Sequence, residues 1–433
     1  MLRTIDLRGR SLTPDELLAA VPRATAARDE ALQTAARIVH DVADRGEVAL
    51  REQAARFDGV EGHAVRVPQQ HLDEALAQLD QGVRAALEEA IRRVREASAA
   101  QVPAPTVTTL APGARVEQHW QPVQRVGVYV PGGKAVYPSS VVMNVVPAQV
   151  AGVAEVALAS PPQAAFDGRV HPTILAAAQL LGVTEVYAMG GAGAIGAYAY
   201  GVPALGLRRV DVISGPGNNF VALAKRVVAG VVGTDSEAGA TEILIVADDS
   251  ADADWVAADL VSQAEHDEQA AAVLVTDSAA LADAVVPRIA ERAARTLHAD
   301  RIAQALAGPQ STIVLVDDLA AATAFSNAYA PEHLELHLAD PRPADFVNAG
   351  AVFVGGHSPV SLGDYLAGSN HVLPTGGQAR YASGLSASTF LRPQQVIVYD
   401  RTALEGVRHA IVALADAEAL PAHGEAVTAR FES

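Results

Sequence analysis

The 433-residue chain reads as an α/β protein with two parallel-sheet units behind a mostly helical N-terminal region. Three observations predict this. Short apolar segments alternate with Ala-rich helical stretches from Arg125 onward, the pattern of parallel strands joined by crossover helices. The strand candidates fall into two sets, which suggests two α/β units. Glycine-rich turns follow three strands of the first set, where open parallel sheets carry their binding loops.

From Thr13 to about Ala100 the chain is mostly helical. Asp15-Glu16-Leu17-Leu18 opens one helix, and Val83, Leu87, Ile91 and Val94 recur near a 3.6-residue period. Pro103 and Pro105 break that pattern. The first strand set is 126–130, 155–159, 185–188 and 210–213; the second is 242–247, 272–275, 312–316 and 351–354. A last strand, 395–399, precedes a C-terminal helix.

The three turns are Val130-Pro131-Gly132-Gly133, Gly190-Gly191-Ala192-Gly193 and Ser214-Gly215-Pro216-Gly217-Asn218-Asn219. Such glycines either let backbone N–H groups approach a phosphate or ribose, or simply make turns. Gly191 to Gly196 fits G-x-G-x-x-G, but Asp211, about 20 residues on, lies inside a strand and does not end one. Gly132-Gly133-Lys134-Ala135 lacks the Ser or Thr that a phosphate-binding P-loop uses to hold magnesium.

Composition narrows the chemistry. A net charge of −18 repels phosphate backbones, so nucleic acid is not an expected partner. No apolar run reaches the roughly 20 residues of a membrane span, and Met1 to Asp6 lacks the basic start and apolar core of a signal peptide. A cytoplasmic protein is expected. The absence of cysteine removes disulfides, thiolate zinc sites and thiohemiacetal chemistry, so any metal must be held by nitrogen and oxygen. Only Lys134 and Lys225 could form a Schiff base.

Four polar segments are candidate sites. In Asp259 to Asp267, Val256, Leu260 and Ala264 mark a helix; Gln263 and His266, three apart, share one face, so an amide oxygen and an imidazole could reach one metal. This is not the H-E-x-x-H pattern of a metalloprotease. In Ala330 to Leu338, Pro331 precedes an alternating segment that reads as a half-buried strand. Glu332 and His333, adjacent at its start, point to different faces and could serve different proton-transfer steps. His357 to His371 reads as a strand-end loop with Asp364 and His371. Glu418-Ala419-Leu420-Pro421-Ala422-His423 is a polar tail segment. The remaining histidines, including His337 and His357, have no evident role.

Together, Val126 to Gly133, Gly215-Pro216-Gly217-Asn218, Ser262 to His266, Ala330 to Leu336, Ser361 to Leu373 and Pro421-Ala422-His423 resemble the histidinol dehydrogenase family in order and spacing, nearly end to end. The resemblance implies an intertwined homodimer of two incomplete Rossmann-like domains with smaller N- and C-terminal pieces. The implied division is 1–24 for an N-terminal helical segment, 25–128 with 243–385 for the first Rossmann-like domain, 129–242 for the second, and 386–433 for a dimer-swapping segment. It implies oxidation of L-histidinol to L-histidine through an aldehyde with two NAD and one Zn2+ per subunit. Carried over, Gln263, His266 and Asp364 of one subunit and His423 of the other are the zinc ligands. Glu332 and His333 are the acid–base pair, and Thr241, His371 and Glu418 join them and the zinc ligands at the substrate. Tyr129 and Asn218 contact NAD, with position 193 beside them.

Two positions depart from the family pattern. Gly193 stands where the family usually has a Gln that touches the cofactor, and Ala240 where it usually has Pro beside the substrate residue Thr241. The first removes an amide hydrogen bond, on the order of 1 kcal/mol; the second loosens a loop. The competing readings are a relative that oxidises another small primary alcohol, and a non-catalytic NAD- or metal-binding homologue.

Overall fold

The six strands that carry the candidate site line up in the order Arg3–Asp6, Thr312–Leu315, Ala271–Thr276, Glu242–Ala247, His333–His337, Ala351–Val354, all parallel. This is a computed structural model, and it describes residues 2–23, 28–132, 136–236 and 239–432. The turn glycine Gly133 and Lys134 therefore lie outside the described residues. Alternation along each strand serves both faces. Ile243, Ile245, Leu274 and Ile313 pack under the helices Ala253–Ala264, Ala279–Ala293 and Ala299–Ala307. Leu244, Val246, Val273, Val275 and Val314 pack under helix Leu319–Tyr329. Helices on both faces are what a parallel sheet of apolar strands requires.

A second parallel sheet has the order Glu185–Ala188, Glu155–Ser160, Arg125–Tyr129, Val212–Ser214, Gly233–Thr234. Helix Arg28–Arg45 contributes Ala35, Val39 and Val42 to the core of this sheet, against Ile195 and Tyr198 of helix Gly191–Tyr200 and Val221 of helix Asn219–Val228. These two sheets belong to one compact unit, residues 1–101 and 123–390. The second unit, residues 102–122 and 391–433, is an antiparallel sheet of Thr106–Ala111, Ala114–Pro122 and Leu391–Tyr399 followed by helices Arg401–Ala417 and Pro421–Thr428. Among the described residues no helix is long and apolar enough to cross a membrane.

Several expectations change. The first 24 residues open on a strand, because Arg3–Asp6 extends the sheet edge beside Thr312–Leu315. The boundary at 128/129 falls inside the strand Arg125–Tyr129. Residues 106–122, between the helical region and the first predicted strand, form two strands. The segment His333–His337 is not half-buried: it lies inside the sheet with every residue buried. Its polar side chains are tolerated there because they face other polar groups. The stretch read as a loop after Ala351–Val354 contains a short helix, Val360–Tyr365, which carries Asp364.

Candidate active site

The pair Glu332–His333 is placed by a helix that is made to stop. Asp318 opens helix Leu319–Tyr329 by accepting from the Ala321 N–H. Ala330 closes it in the left-handed conformation at φ 50°, a strained geometry for a residue with a Cβ. Pro331 bars continuation, and the strand begins at His333. The acid–base candidates thus stand at the N-terminal edge of the six-stranded sheet. Open parallel sheets usually bind at the opposite edge, where the five-stranded sheet carries its glycine turns.

Glu332 and His333 are both buried. Glu332 Oε2 accepts from the Thr241 hydroxyl at 2.6 Å and from the Glu242 N–H at 2.9 Å. Burial pushes its carboxyl above the usual range, opposed by His333 and by these hydrogen bonds. His333 Nδ1 donates to the Glu242 carbonyl at 3.0 Å. That bond fixes the tautomer and leaves Nε2 as a lone pair, and this buried atom has no protein partner. Glu242 is itself held by Arg23 at 2.6 Å.

Gln263 ends the helix that Asp252 begins by accepting from the Asp254 N–H. Its Nε2 donates to Thr241 Oγ1 at 2.7 Å. Because that hydroxyl spends its own proton on Glu332, the amide must turn its NH2 toward Thr241. Oε1 then points away, buried and without a partner. His266, one turn on, donates from Nδ1 to the Gln263 carbonyl at 3.3 Å, which leaves its Nε2 available. His371 donates from Nδ1 to the Asp364 carbonyl at 2.9 Å and meets the Ser140 hydroxyl through Nε2 at 3.3 Å. Burial lowers its pKa; the Asp364 carboxylate opposes the shift, and His333 and His266 are near enough to add to it. Gln263, His333, Thr241 and Glu332 are thus in contact, Asp364 contacts His371, and His333 and His266 lie near His371. Ser140 lies at the start of helix Pro138–Ala151, which follows a strand of the five-stranded sheet, and Asn370 bonds the Met143 carbonyl of the same helix at 2.6 Å. The two sheets meet at the site through these contacts.

The donor set fits zinc. It offers an orphaned amide oxygen, an imidazole and a carboxylate, the hard and borderline ligands left when thiolates are absent. The one group of three His, Asp or Glu whose donor atoms crowd together among the described residues is a different one, Asp259, Glu335 and His337. Glu418 and His423 belong to the second unit, where both are exposed.

The positions assigned to NAD have defined local roles. Tyr129 is buried, and its hydroxyl accepts from the Gly191 N–H at 3.1 Å, under the turn that starts helix Gly191–Tyr200. Burial pushes its phenol up to about 12. Asn218 caps helix Asn219–Val228 by accepting from Phe220 and Val221, so its amide nitrogen faces outward at an exposed position. Gly193 is buried inside its helix, and a Cβ there would collide with Gln53 Oε1. The space left by the missing side chain is thus filled by another carboxamide, from a residue that sequence reading passed over. Lys225 is buried in an ion pair with Asp235, which makes it a structural lysine and no Schiff-base candidate.

The chain is similar to known proteins over nearly its whole length. The family model for histidinol dehydrogenase matches residues 21–431. The chain is 64% identical to a histidinol dehydrogenase of Leifsonia xyli subsp. xyli, covering 100% of this chain and 99% of that one. It is 57% identical to the enzyme of Thermobifida fusca, covering 100% and 98%. The crystal structure of histidinol dehydrogenase from Elizabethkingia anophelis superposes with a TM-score of 0.93 at 30% identity, covering 100% of this chain and 98% of that one.

Proposed function

This chain belongs to the histidinol dehydrogenase family, whose reaction is the last step of histidine biosynthesis, and we propose that it works with NAD and one zinc ion per subunit. The observation that carries the proposal is a single network with two unsatisfied buried atoms, Gln263 Oε1 and His333 Nε2. One suits a metal ligand and the other a base. Gln263, His266 and Asp364 would hold the zinc with His423 of the partner subunit. When bound, zinc would grip the imidazole and amine of L-histidinol, and NAD would accept hydride from its carbinol carbon.

The chain's own groups handle the protons. His333 Nε2 takes the hydroxyl proton as the C–H pair leaves, giving the aldehyde. Glu332 takes a proton from a water that adds to the aldehyde carbon, and His333 returns its proton to the aldehyde oxygen, giving the hydrate. Loss of a second hydride and a hydroxyl proton from the hydrate leaves the acid. Without cysteine there is no thioester route, so the hydrate is required. Thr241 holds Glu332 and Gln263 in one geometry, His371 and Glu418 contact substrate, and Tyr129 and Asn218 shape the NAD side beside position 193.

The homodimer belongs to the same reading. Val107, Leu110, Ile397 and Leu414 of the second unit are exposed apolar residues of the kind a subunit interface covers. Steady-state NAD reduction tests the substrate. With zinc present, L-histidinol should yield NADH; turnover only of another amino alcohol or of a sulfonated diol would overturn the proposal.

A further inference from the structure

His337 had no role in the sequence reading, and Glu335 none at all, yet both are buried beside Asp259. Glu335 Oε1 accepts from the Val360 N–H at 2.8 Å. Its Oε2 lies 3.3 Å from His337 Nε2, which lies 3.7 Å from Asp259 Oδ2. Each contact touches a segment that carries a site residue. Asp259 lies one helical turn before Gln263, Glu335 two residues after His333 on the same strand face, and Val360 one turn before Asp364.

We propose that Glu335 is a positioning residue: with Asp259 and His337 it forms a polar floor that holds the helix of Gln263, the strand of His333 and the helix of Asp364 in register, so that the zinc donors converge. This rests on the reading of Gln263, His266 and Asp364 as zinc ligands. Carboxylates and imidazoles behind a ligand set commonly fix its geometry, and losing one typically costs about 10- to 100-fold in metal affinity. Burial and the Glu335 charge push Asp259 up to about 7. Both oxygens of Glu335 have protein partners, which distinguishes it from the orphaned Gln263 Oε1 above.

The test is zinc affinity of the full-length protein by competition with a chromophoric chelator. Glu335→Ala should weaken binding by about tenfold or more. Glu335→Gln keeps an oxygen for the Val360 N–H and should stay within about threefold of wild type, since that hydrogen bond survives. In an Asp364→Ala background the effect of Glu335→Ala should shrink, because one of the ligands it positions is gone. If Glu335→Ala does not fold, Val360→Pro removes the same hydrogen bond from the other side, with proline at a first-turn position it tolerates, and should show the same loss. Wild-type affinity in these variants, or an equal loss in both backgrounds, overturns the role of Glu335. So does a second zinc per subunit that disappears in Glu335→Gln, which would make the floor a metal site. Unchanged affinity in Asp364→Ala alone would instead sink the ligand assignment on which the inference rests.

Discussion

Thr241 and Glu332 are joined by a 2.6 Å hydrogen bond, and the same Thr241 oxygen accepts from Gln263 at 2.7 Å. One hydroxyl therefore sets both the proposed general base and the amide of a proposed zinc ligand. Thr241→Val keeps the shape and deletes the hydroxyl, leaving Gln263 Nε2 buried without a partner. The expected loss is about 1–3 kcal/mol, or roughly 5- to 150-fold in kcat/KM for L-histidinol. Thr241→Ser should stay within a few-fold of wild type.

His333→Asn preserves size and polarity but has no lone pair of comparable basicity at the Nε2 position. Turnover should fall by at least about a hundredfold, with the thermal midpoint nearly unchanged. Unaltered NADH production would remove His333 from the chemistry.

Glu332 gives a signed pH effect. Burial raises its pKa, so it stays protonated to a higher pH than an exposed glutamate. Hydration of the aldehyde needs the carboxylate. The rate on L-histidinal should therefore fall on acidification, from a pH above the ordinary carboxylate range. Glu332→Gln should lose that acid limb together with at least about a hundredfold in rate. A profile flat down to pH 4 in the wild type would contradict the assignment.

Gly193 and Gln53 should behave as a pair. Gly193→Gln alone pushes aside the flexible end of Gln53 and its weak bond to the Ile38 carbonyl, and should cost at most about 1 kcal/mol of stability. Adding Gln53→Ala should relieve much of it, a coupling that denaturant unfolding of the four variants would measure.

The proposed sharing of the zinc site between subunits predicts complementation. Neither His423→Ala nor Gln263→Ala should be active alone. Re-formed heterodimers should regain activity, because one of their two sites is then built from intact residues. Failure to recover any would place the whole site within one chain.

The candidate site residues could be picked out because they lie in short segments with marked chemistry, Gln263 and His266 on one helix face, Glu332 and His333 after Pro331, and Asp364 and His371 in a polar stretch, while their proposed roles come from the family resemblance. What stayed hidden has physical causes. The alternation from His333 to Leu338 carries the same pattern whether its polar face meets water or meets Asp259; only the sheet order, with neighbours on both sides, decides for burial. Strand Thr106–Ala111 could have been suspected from its β-branched threonines and valine, but its partner Ala114–Pro122 pairs in turn with Leu391–Tyr399, hundreds of residues away. Gln53 sits in a helical run with nothing to mark it, and its meaning comes only from the missing side chain at Gly193. Fold class survives such gaps because strand and helix periodicity is local, whereas contacts across elements are not.

The most direct measurement is the yield of NADH per molecule of L-histidinol consumed by the zinc-loaded protein, with the product identified. The account predicts two NADH and L-histidine, with activity lost on chelation and restored by zinc. One NADH with free aldehyde as the final product, or full activity in metal-free protein, would contradict it.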